Sequence, residues 1–270
     1  MRIKSLVALL PIVIALLILA AIKICTPAHK APDAPVKTLK QFLQIALQPV
    51  GETMYIWGGG WNMADNAAGP EAMRIGCSPR WKEFFSRQTS AYSLRGTAYM
   101  IHDGLDCTGY LGWALYNLFP NDTGYVTWAS NMVQSLVSRN WGLSAYRGSA
   151  RDLQAGDIMG NERHVWISLG VCADGSAVMV HASPPGVMIN GTRSGYRASQ
   201  AAALAEQYMR THHPVWYARY PNCAQDESYL YTFDRFRWSA EILPDPDGYR
   251  AMRADAILAD LFRSVRKARQ

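Results

Sequence analysis

Cys107, His164 and His181 are the residues of this chain whose types fit nucleophilic hydrolysis. A thiol in the first turn of a helix faces unpaired backbone N–H groups, and these groups stabilise the thiolate over the thiol. A nucleophile also needs a base, and the base needs an orienting group. The two histidines can fill these roles, but an inert buried thiol with two structural histidines also fits the spacing. Both interpretations stay open at this point.

A helix is predicted to present Cys107 in its first turn. Asp106 or Thr108 is the predicted N-cap, because a short polar side chain there accepts a hydrogen bond from the unpaired N–H groups. Beyond the cap, apolar residues recur at spacings of three and four, which is typical of a buried helix face. These residues are Tyr110, Leu111, Ala114, Leu115 and Leu118.

The two histidines stand on a predicted β-hairpin formed by 164–170 and 177–183, with a turn at Asp174-Gly175. Adjacent strands lie about 4.8 Å apart, so two histidines on one face of the sheet can meet. A hairpin symmetric about the turn would place His181 opposite Ser168 instead. The pairing therefore requires a bulge or an asymmetric loop.

Other segments are predicted from hydrophobic spacing and from turn residues. Leu39 begins a helix that Pro49 stops, Gly58-Gly59-Gly60 marks tightly packed backbone, and Asn190-Gly191 ends a short strand over 186–189. A turn at 153–157 leads into a strand. The remaining predicted elements are helices around 79–86, 128–138, 198–211 and 249–267 and a strand near 229–237.

The five cysteines follow no C-x-x-C spacing and their number is odd. A zinc site or a dense disulfide framework is therefore not indicated, and the sequence implies no cofactor and no metal. A bridge between Cys77 and Cys223 is one interpretation for an exported chain. Buried free thiols are the other, and the sequence favours it.

Charge is concentrated at the two ends of the 270-residue chain, which has 49% apolar and 18% charged residues and a formal net charge of +6. Residues 26–249 hold 18 cations and 19 acids, so the body is nearly neutral. The composition excludes a disordered chain, and the nearly neutral body does not indicate a basic face for nucleic acid. Nucleic acid is therefore not an expected partner.

The N-terminal segment 1–25 is predicted to be a transmembrane anchor or a signal peptide. From Leu6 to Ile22 it has 17 residues without a charge, about 26 Å as a helix, and Arg2 and Lys4 precede them. Cations before the apolar run keep the N-terminus in the cytoplasm, so the rest of the chain is expected to be exported. The anchor is favoured because no small-residue cleavage site follows clearly. Residues 26–37 are predicted to be a Pro-rich linker.

Five sequence blocks resemble, in order, the NlpC/P60 family of cell-wall cysteine peptidases. The first two are Tyr55-Ile56-Trp57-Gly58-Gly59 and Gly104-Leu105-Asp106-Cys107-Thr108-Gly109-Tyr110-Leu111. The third is Leu153-Gln154-Ala155-Gly156-Asp157-Ile158. The last two are His164-Val165-Trp166-Ile167-Ser168-Leu169-Gly170 and Val180-His181-Ala182-Ser183, so that together the blocks span about 55–190.

The resemblance implies an α+β fold with a papain-like core, in which the catalytic helix packs on a small antiparallel sheet. The implied catalytic domain is 38–245, with a long insertion at about 61–104 before the cysteine, and 246–270 forms a C-terminal basic helix. The insertion is longer than the connection usual in the family. A lid or an altered groove there would change the substrate.

The implied activity is hydrolysis of peptidoglycan stem peptides, commonly at the γ-D-glutamyl-diaminopimelate or γ-D-glutamyl-lysine bond. In this comparison Cys107 attacks, His164 is the base and His181 orients it. The oxyanion is implied to lie at the Cys107 backbone N–H with the Tyr55 hydroxyl nearby. Asp106 and Thr108 match positions that help bind the free amino end of the stem peptide, where most members have Ser in place of Thr108.

Two other functions remain as alternatives. A thiol amidase of the CHAP type would share the cysteine and a histidine but cut between sugar and peptide. A wall-binding scaffold would keep the fold and lose turnover. In each version the expected location is outside the cytoplasm, either tethered to the membrane and facing the cell wall or secreted after cleavage of the N-terminal segment.

Overall fold

The computed structural model describes residues 36–61, 75–146 and 152–268, with side chains to residue 263. The predicted anchor at 1–25 and most of the linker at 26–37 lie outside these residues. Among the helices of the described part, none is long and apolar enough to cross a membrane. Residues from Lys37 onward belong to one compact unit.

The described part of this unit is an α+β fold with eight α-helices. They are α1 (Leu39–Leu47), α2 (Pro79–Arg87), α3 (Leu94–Thr97), α4 (Cys107–Leu118), α5 (Ala129–Ser138), α6 (Gln200–His212), α7 (Pro214–Arg219) and α8 (Ala254–Ala268). Short 3-10 helices cover Glu227–Leu230 and Tyr249–Ala251. The helices predicted from periodicity are confirmed, although α8 begins later than predicted because the 3-10 turn precedes it.

Nine strands form one mostly antiparallel sheet in the described residues. They are β1 (Met54–Tyr55), β2 (Gly104–Leu105), β3 (Gly142–Ala145), β4 (Ile158–Gly160), β5 (Val165–Val171), β6 (Ala177–Ser183), β7 (Gly186–Arg193), β8 (Ala224–Asp226) and β9 (Asp234–Trp238). Their order is β2-β1-β7-β6-β5-β4-β9-β3, and β8 runs parallel to the end of β7. The sheet is thus larger than the small one expected.

The predicted hairpin is confirmed as β5 and β6, and it contains the required irregularity. Ile167 pairs with Val180 and Ser168 with Met179, after which a bulge shifts the register before Gly170. Continued by one residue, this register places His181 opposite Trp166. His164 is then the diagonal neighbour of His181 on the same face, close enough for their rings to meet.

The two faces of this sheet are buried against different groups. On one face, α4 packs against β5 and β6, and nearly every residue of α4 is buried. The face that carries the histidines is covered by a smaller cluster from 153–179 and 230–233. That cluster consists of Leu153, Met159, Trp166, Ala177, Met179, Leu230 and Phe233.

The three-glycine turn is packed against the start of α4, as predicted. A Cβ atom added to Gly109 would lie closer than 3.0 Å to the Gly59 carbonyl oxygen, and one on Gly60 would meet the backbone of Gly109. Gly58 and Gly60 also adopt positive φ angles of 81° and 88°, a region that favours glycine. Small residues therefore allow β1 to approach the N-terminus of α4.

The strand predicted at 186–189 is longer than expected. It continues through Asn190-Gly191 to Arg193 as β7, so the prediction of a turn there is wrong. Gly191 allows α6 to lie close to β7, because a Cβ atom at this position would lie closer than 3.0 Å to the backbone of Ala201 in α6. Asn190 is consequently inside the sheet and fully buried.

The described part of the insertion, 75–104, is packed into the core. Trp81, Phe84 and Phe85 of α2 are buried, and Arg80 pairs with Asp103 at 2.9 Å. The short helix predicted there is confirmed, and α3 follows it.

Candidate functional site

Cys107 lies at the first position of α4, where the sequence predicted it. Asp106 is the N-cap, and its carboxylate accepts a hydrogen bond from the Gly109 backbone N–H at 2.7 Å. The cysteine side chain is almost entirely buried. The backbone N–H groups of Val165, Thr108 and Cys107 itself act on the thiol electrostatically and favour its ionised form.

The start of β5 lies close to the thiol of Cys107. Val165 is the first residue of β5 and directly follows His164 in the chain. Its backbone N–H group is near enough to the thiol to favour the ionised form of the sulfur, so the backbone at His164 also lies close to Cys107. The start of β5 and the start of α4 therefore meet at this point.

His164 and His181 form a hydrogen bond between Nε2 of the first and Nδ1 of the second, at 2.8 Å. Nε2 of His181 lies 2.8 Å from Oδ1 of Asn190. His181 and Asn190 are completely buried. The three side chains thus make one continuous chain of hydrogen bonds.

Asn190, at the end of this series of hydrogen bonds, determines which ring nitrogens of the two histidines carry a proton. A carbonyl oxygen only accepts, so Nε2 of His181 carries a hydrogen and donates it to Asn190. Nδ1 of His181 then has a lone pair and accepts from Nε2–H of His164. Nδ1 of His164 is left unprotonated, which is the form a general base needs.

Burial keeps this site neutral at rest. It raises the pKa of Cys107 to about 12, and the nearby charge of Asp106 adds to the effect. Burial also lowers the pKa of His164 well below its ordinary value, and that of His181 to about 4. The expectation of a thiolate at the helix N-terminus is therefore wrong for the resting site, because desolvation outweighs the backbone N–H groups.

Tyr55 interacts electrostatically with Cys107, and its implied place at the oxyanion stays a prediction. Its pKa is raised above the ordinary value by burial and then by the charge of Cys107, so its phenol stays protonated. The backbone carbonyl of Tyr55 is fixed by the Tyr92 hydroxyl, and its backbone N–H donates to the Pro185 carbonyl at 2.8 Å. The backbone of Tyr55 is therefore held on both sides.

Asp106 is held by four donors of the chain itself. Besides Gly109, these are the Gly58 backbone N–H at 3.1 Å, Nε1–H of Trp61 at 2.9 Å and the Thr108 hydroxyl at 3.0 Å. Burial raises the pKa of this carboxyl, and the hydrogen bonds oppose that rise. The implied role of Asp106 and Thr108 in binding a substrate amine stays a prediction, but both contribute to fixing the start of α4.

Two residues of the site were not predicted from sequence. Asn190 was interpreted as part of a turn. Tyr229, from the 3-10 turn after β8, places its ring 5.8 Å from that of His164 and 6.1 Å from that of His181, edge to face. Burial raises the pKa of Tyr229, and ionisation of Cys107 would add to that rise.

The other described cysteines are free thiols: Cys172 and Cys223 are buried and Cys77 is exposed. The bridge considered between Cys77 and Cys223 is therefore not formed, and Cys77 is not a buried thiol. Across 36–61, 75–146 and 152–268, no group of three or more His, Cys, Asp or Glu side chains could hold a metal ion.

Comparison of the whole chain with protein-family models, curated proteins and solved structures gives no match in any of the three.

Proposed function

We propose that this protein is a cysteine peptidase of the NlpC/P60 type, with a papain-like core, that hydrolyses peptidoglycan stem peptides. The proposed bond is the γ-D-glutamyl-diaminopimelate or γ-D-glutamyl-lysine link. The observation that carries the proposal is Cys107 at a helix N-terminus with the start of β5 close to its thiol, together with a histidine pair whose tautomers are fixed by Asn190.

The reaction begins with proton transfer from a neutral thiol to a neutral imidazole. As the sulfur of Cys107 attacks the scissile carbonyl carbon, its proton moves to Nδ1 of His164. The imidazolium returns that proton to the leaving amine nitrogen as the C–N bond breaks, and a thioester remains on Cys107. Water, deprotonated by His164, then attacks the thioester and releases a carboxylic acid and the thiol.

His181 stabilises the transient imidazolium and holds its ring in position. Its Nδ1 lone pair accepts from Nε2–H of His164, so the positive charge on His164 faces an acceptor instead of a second donor. Asn190 keeps that lone pair available by accepting from Nε2–H of His181. A hydrogen-bonded base of fixed tautomer is what general base catalysis requires.

The negative oxygen of the tetrahedral intermediate has two donors in this proposal. One is the backbone N–H of Cys107 at the positive end of α4. The other is the Tyr55 hydroxyl, which stays protonated because burial raises its pKa. The amidase of the CHAP type remains the alternative enzyme, since the same site chemistry would also serve a sugar-to-peptide amide.

Mass spectrometry of peptidoglycan and of defined stem peptides tests the proposal. The full-length protein is incubated with each substrate beside Cys107→Ala, and Cys172→Ala serves as a matched control because Cys172 is also a buried free thiol. The proposal expects fragments ending in D-glutamate from the wild type and from the Cys172 variant only. Release of whole stem peptides from sugar would favour the amidase. No cleavage by folded wild-type protein would favour a scaffold.

The proposed location is the outer face of the membrane, with 1–25 as the tether and the wall peptide as the partner. It rests on the apolar run from Leu6 to Ile22 and on the cations that precede it. Protease accessibility of the chain in spheroplasts tests it.

A further inference from the structure

A cavity of about 420 Å³ lies beside the proposed catalytic site, between the insertion, the turn joining β6 and β7, and the segment after α7. Tyr92, Pro185, Met188, Arg219 and Asn222 are among the residues that line it. Its walls combine apolar side chains with polar and aromatic ones. The volume suits one or two residues of a peptide and is typical of a small-ligand site.

Three contacts connect this cavity to the catalytic residues. The Tyr92 hydroxyl donates to the backbone carbonyl of Tyr55. Met188 is the cross-strand partner of His181. Oδ1 of Asn190 holds His181, while its Nδ2 group donates to the Asn222 carbonyl at 3.5 Å. The cavity is therefore a neighbour of Tyr55 on one side and of the histidine pair on another.

Arg219 supplies the charge of this cavity. Its Nη1–H donates to the Phe85 carbonyl at 2.8 Å, and its guanidinium lies 4.7 Å from the centre of the Phe85 ring. These contacts fix the plane of the guanidinium. Within the part of the chain that the structure describes, no carboxylate pairs with it. Its remaining N–H groups are therefore available to a ligand.

The residues that line this cavity include no Asp or Glu. A second cavity of about 410 Å³ lies beyond His164 and differs in charge, since Arg163, Glu162 and Asp234 all line it. A positive charge without a neighbouring acid favours an anion. A fixed guanidinium matches a carboxylate in two parallel hydrogen bonds.

We propose that the cavity at Arg219 is a substrate subsite that binds a carboxylate of the peptide through the Arg219 guanidinium. This inference rests on the proposed peptidase function and specifies its substrate. A stem peptide has free carboxylates on D-glutamate and on diaminopimelate, and amidation removes their charge. The subsite therefore selects peptides in which one of these groups is unamidated.

Peptide binding to the full-length Cys107→Ala protein tests the subsite without turnover. The probes are L-Ala-γ-D-Glu-meso-diaminopimelate and three analogues, in each of which a different one of its three carboxylates is converted to the carboxamide. Titration calorimetry is expected to show about tenfold weaker binding of one analogue, as loss of a charge-assisted pair predicts. Adding Arg219→Gln is expected to remove this difference, and Arg219→Lys to retain part of it.

Arg210→Gln is the matched control, because Arg210 is an exposed arginine on α6 that lies outside the cavity lining. The ratio of the affinities for parent and analogue is compared within each variant, so a partly destabilised variant still gives a valid result. Equal affinities for all four peptides, or a ratio unchanged by Arg219→Gln, would overturn the subsite. Cleavage of the parent peptide by wild-type protein is measured in parallel, so failure of the proposed function is detected separately.

Discussion

Nε2 of His164 lies 2.8 Å from Nδ1 of His181, and this contact joins the start of β5 to the middle of the β6–β7 pair. It is a diagonal contact on one face of the sheet, which the bulge after Ser168 permits. His181 in turn donates to Asn190. The orientation of His164, the proposed base, therefore depends on Asn190 through His181.

Replacing Asn190 is expected to lower activity without touching the thiol. In Asn190→Leu the tautomer of His181 is no longer fixed, and kcat is expected to fall about tenfold to a hundredfold, the range seen when an orienting partner is lost. Asn190→Asp keeps the acceptor and is expected to retain more activity. Its carboxylate would also raise the pKa of His181.

The pH profile of kcat/KM separates this positioning role from a purely structural one. In Asn190→Asp the acid limb of the profile is expected to move to higher pH. A profile that keeps its wild-type shape in both variants would contradict the relay.

Tyr55 and Tyr229 are both near the thiol, and we predict different roles for them. Tyr55→Phe removes a proposed oxyanion donor, so kcat is expected to fall about a hundredfold. Tyr229→Phe keeps the ring that covers His164 and His181 and is expected to stay within about threefold of wild type, a change equal to less than about 1 kcal/mol.

Tyr229→Ala completes the comparison. Without the ring, water reaches the histidine pair, desolvation is relieved, and the pKa of His164 rises towards its ordinary value. The acid limb of the pH profile is then expected to shift upwards. If Tyr229→Phe were as damaging as Tyr55→Phe, the Tyr229 hydroxyl would have to contribute to catalysis as well, which would contradict the different roles predicted for the two residues.

Stability is expected to decrease below about pH 6.5, the ordinary pKa of histidine. Burial lowers the pKa of His181 in the folded state to about 4, so between these two pH values the unfolded chain binds a proton that the folded chain does not. The free energy of unfolding therefore falls as pH falls, by about 1.4 kcal/mol per pH unit and about 3 kcal/mol in all from this residue.

Urea unfolding at several pH values measures the slope, and His164 adds in the same direction because its pKa is also lowered. His181→Gln removes one titrating group, so its slope is expected to be shallower over the same interval. A slope that is identical in wild type and variant would show that His181 is not buried as a neutral group.

Gly109→Ala is expected to destabilise the protein by about 1 to 3 kcal/mol, the usual cost of overpacking. The new Cβ would lie closer than 3.0 Å to the carbonyl oxygen of Gly59, and backbone cannot move aside as a side chain can. Gly96→Ala in α3 is the matched control, because a Cβ there meets nothing within 4 Å. Thermal unfolding of both variants measures the difference, and equal melting temperatures would contradict the close packing of the glycine turn against α4.

The start of α4 and the histidine hairpin could be predicted because their signals are local. Asp106 before an apolar helical repeat indicates a cap, and two strand-like segments on either side of Asp174-Gly175 indicate a hairpin. Counting residues from that turn also showed that a bulge or an asymmetric loop was needed, and the structure has a bulge after Ser168. Its position was not predictable, because packing of the strand against its neighbours determines where the extra residue goes.

Asn190 and Tyr229 could not be predicted because their roles depend on distant contacts. Asn-Gly is a turn signal in isolation, but Gly191 is needed here where α6 approaches the strand. Tyr229 reaches the histidines from a segment that follows β8, after two intervening helices. The pKa of the Cys107 thiol could not be predicted for the same reason. Its position at the helix N-terminus predicted a lowered pKa, whereas the desolvation that raises this pKa depends on the whole fold.

Rapid acid quench followed by mass spectrometry of the intact protein and of its Cys107 peptide tests whether Cys107 forms an acyl-enzyme. Full-length wild-type protein is mixed with the stem peptide and quenched during the first turnover. We expect an acyl adduct on the Cys107 peptide whose mass matches the L-Ala-γ-D-Glu fragment, together with release of the following residue. The adduct should be absent from Cys107→Ala and present in Cys172→Ala. Cleavage of the stem peptide at an undiminished rate by Cys107→Ala would contradict the account.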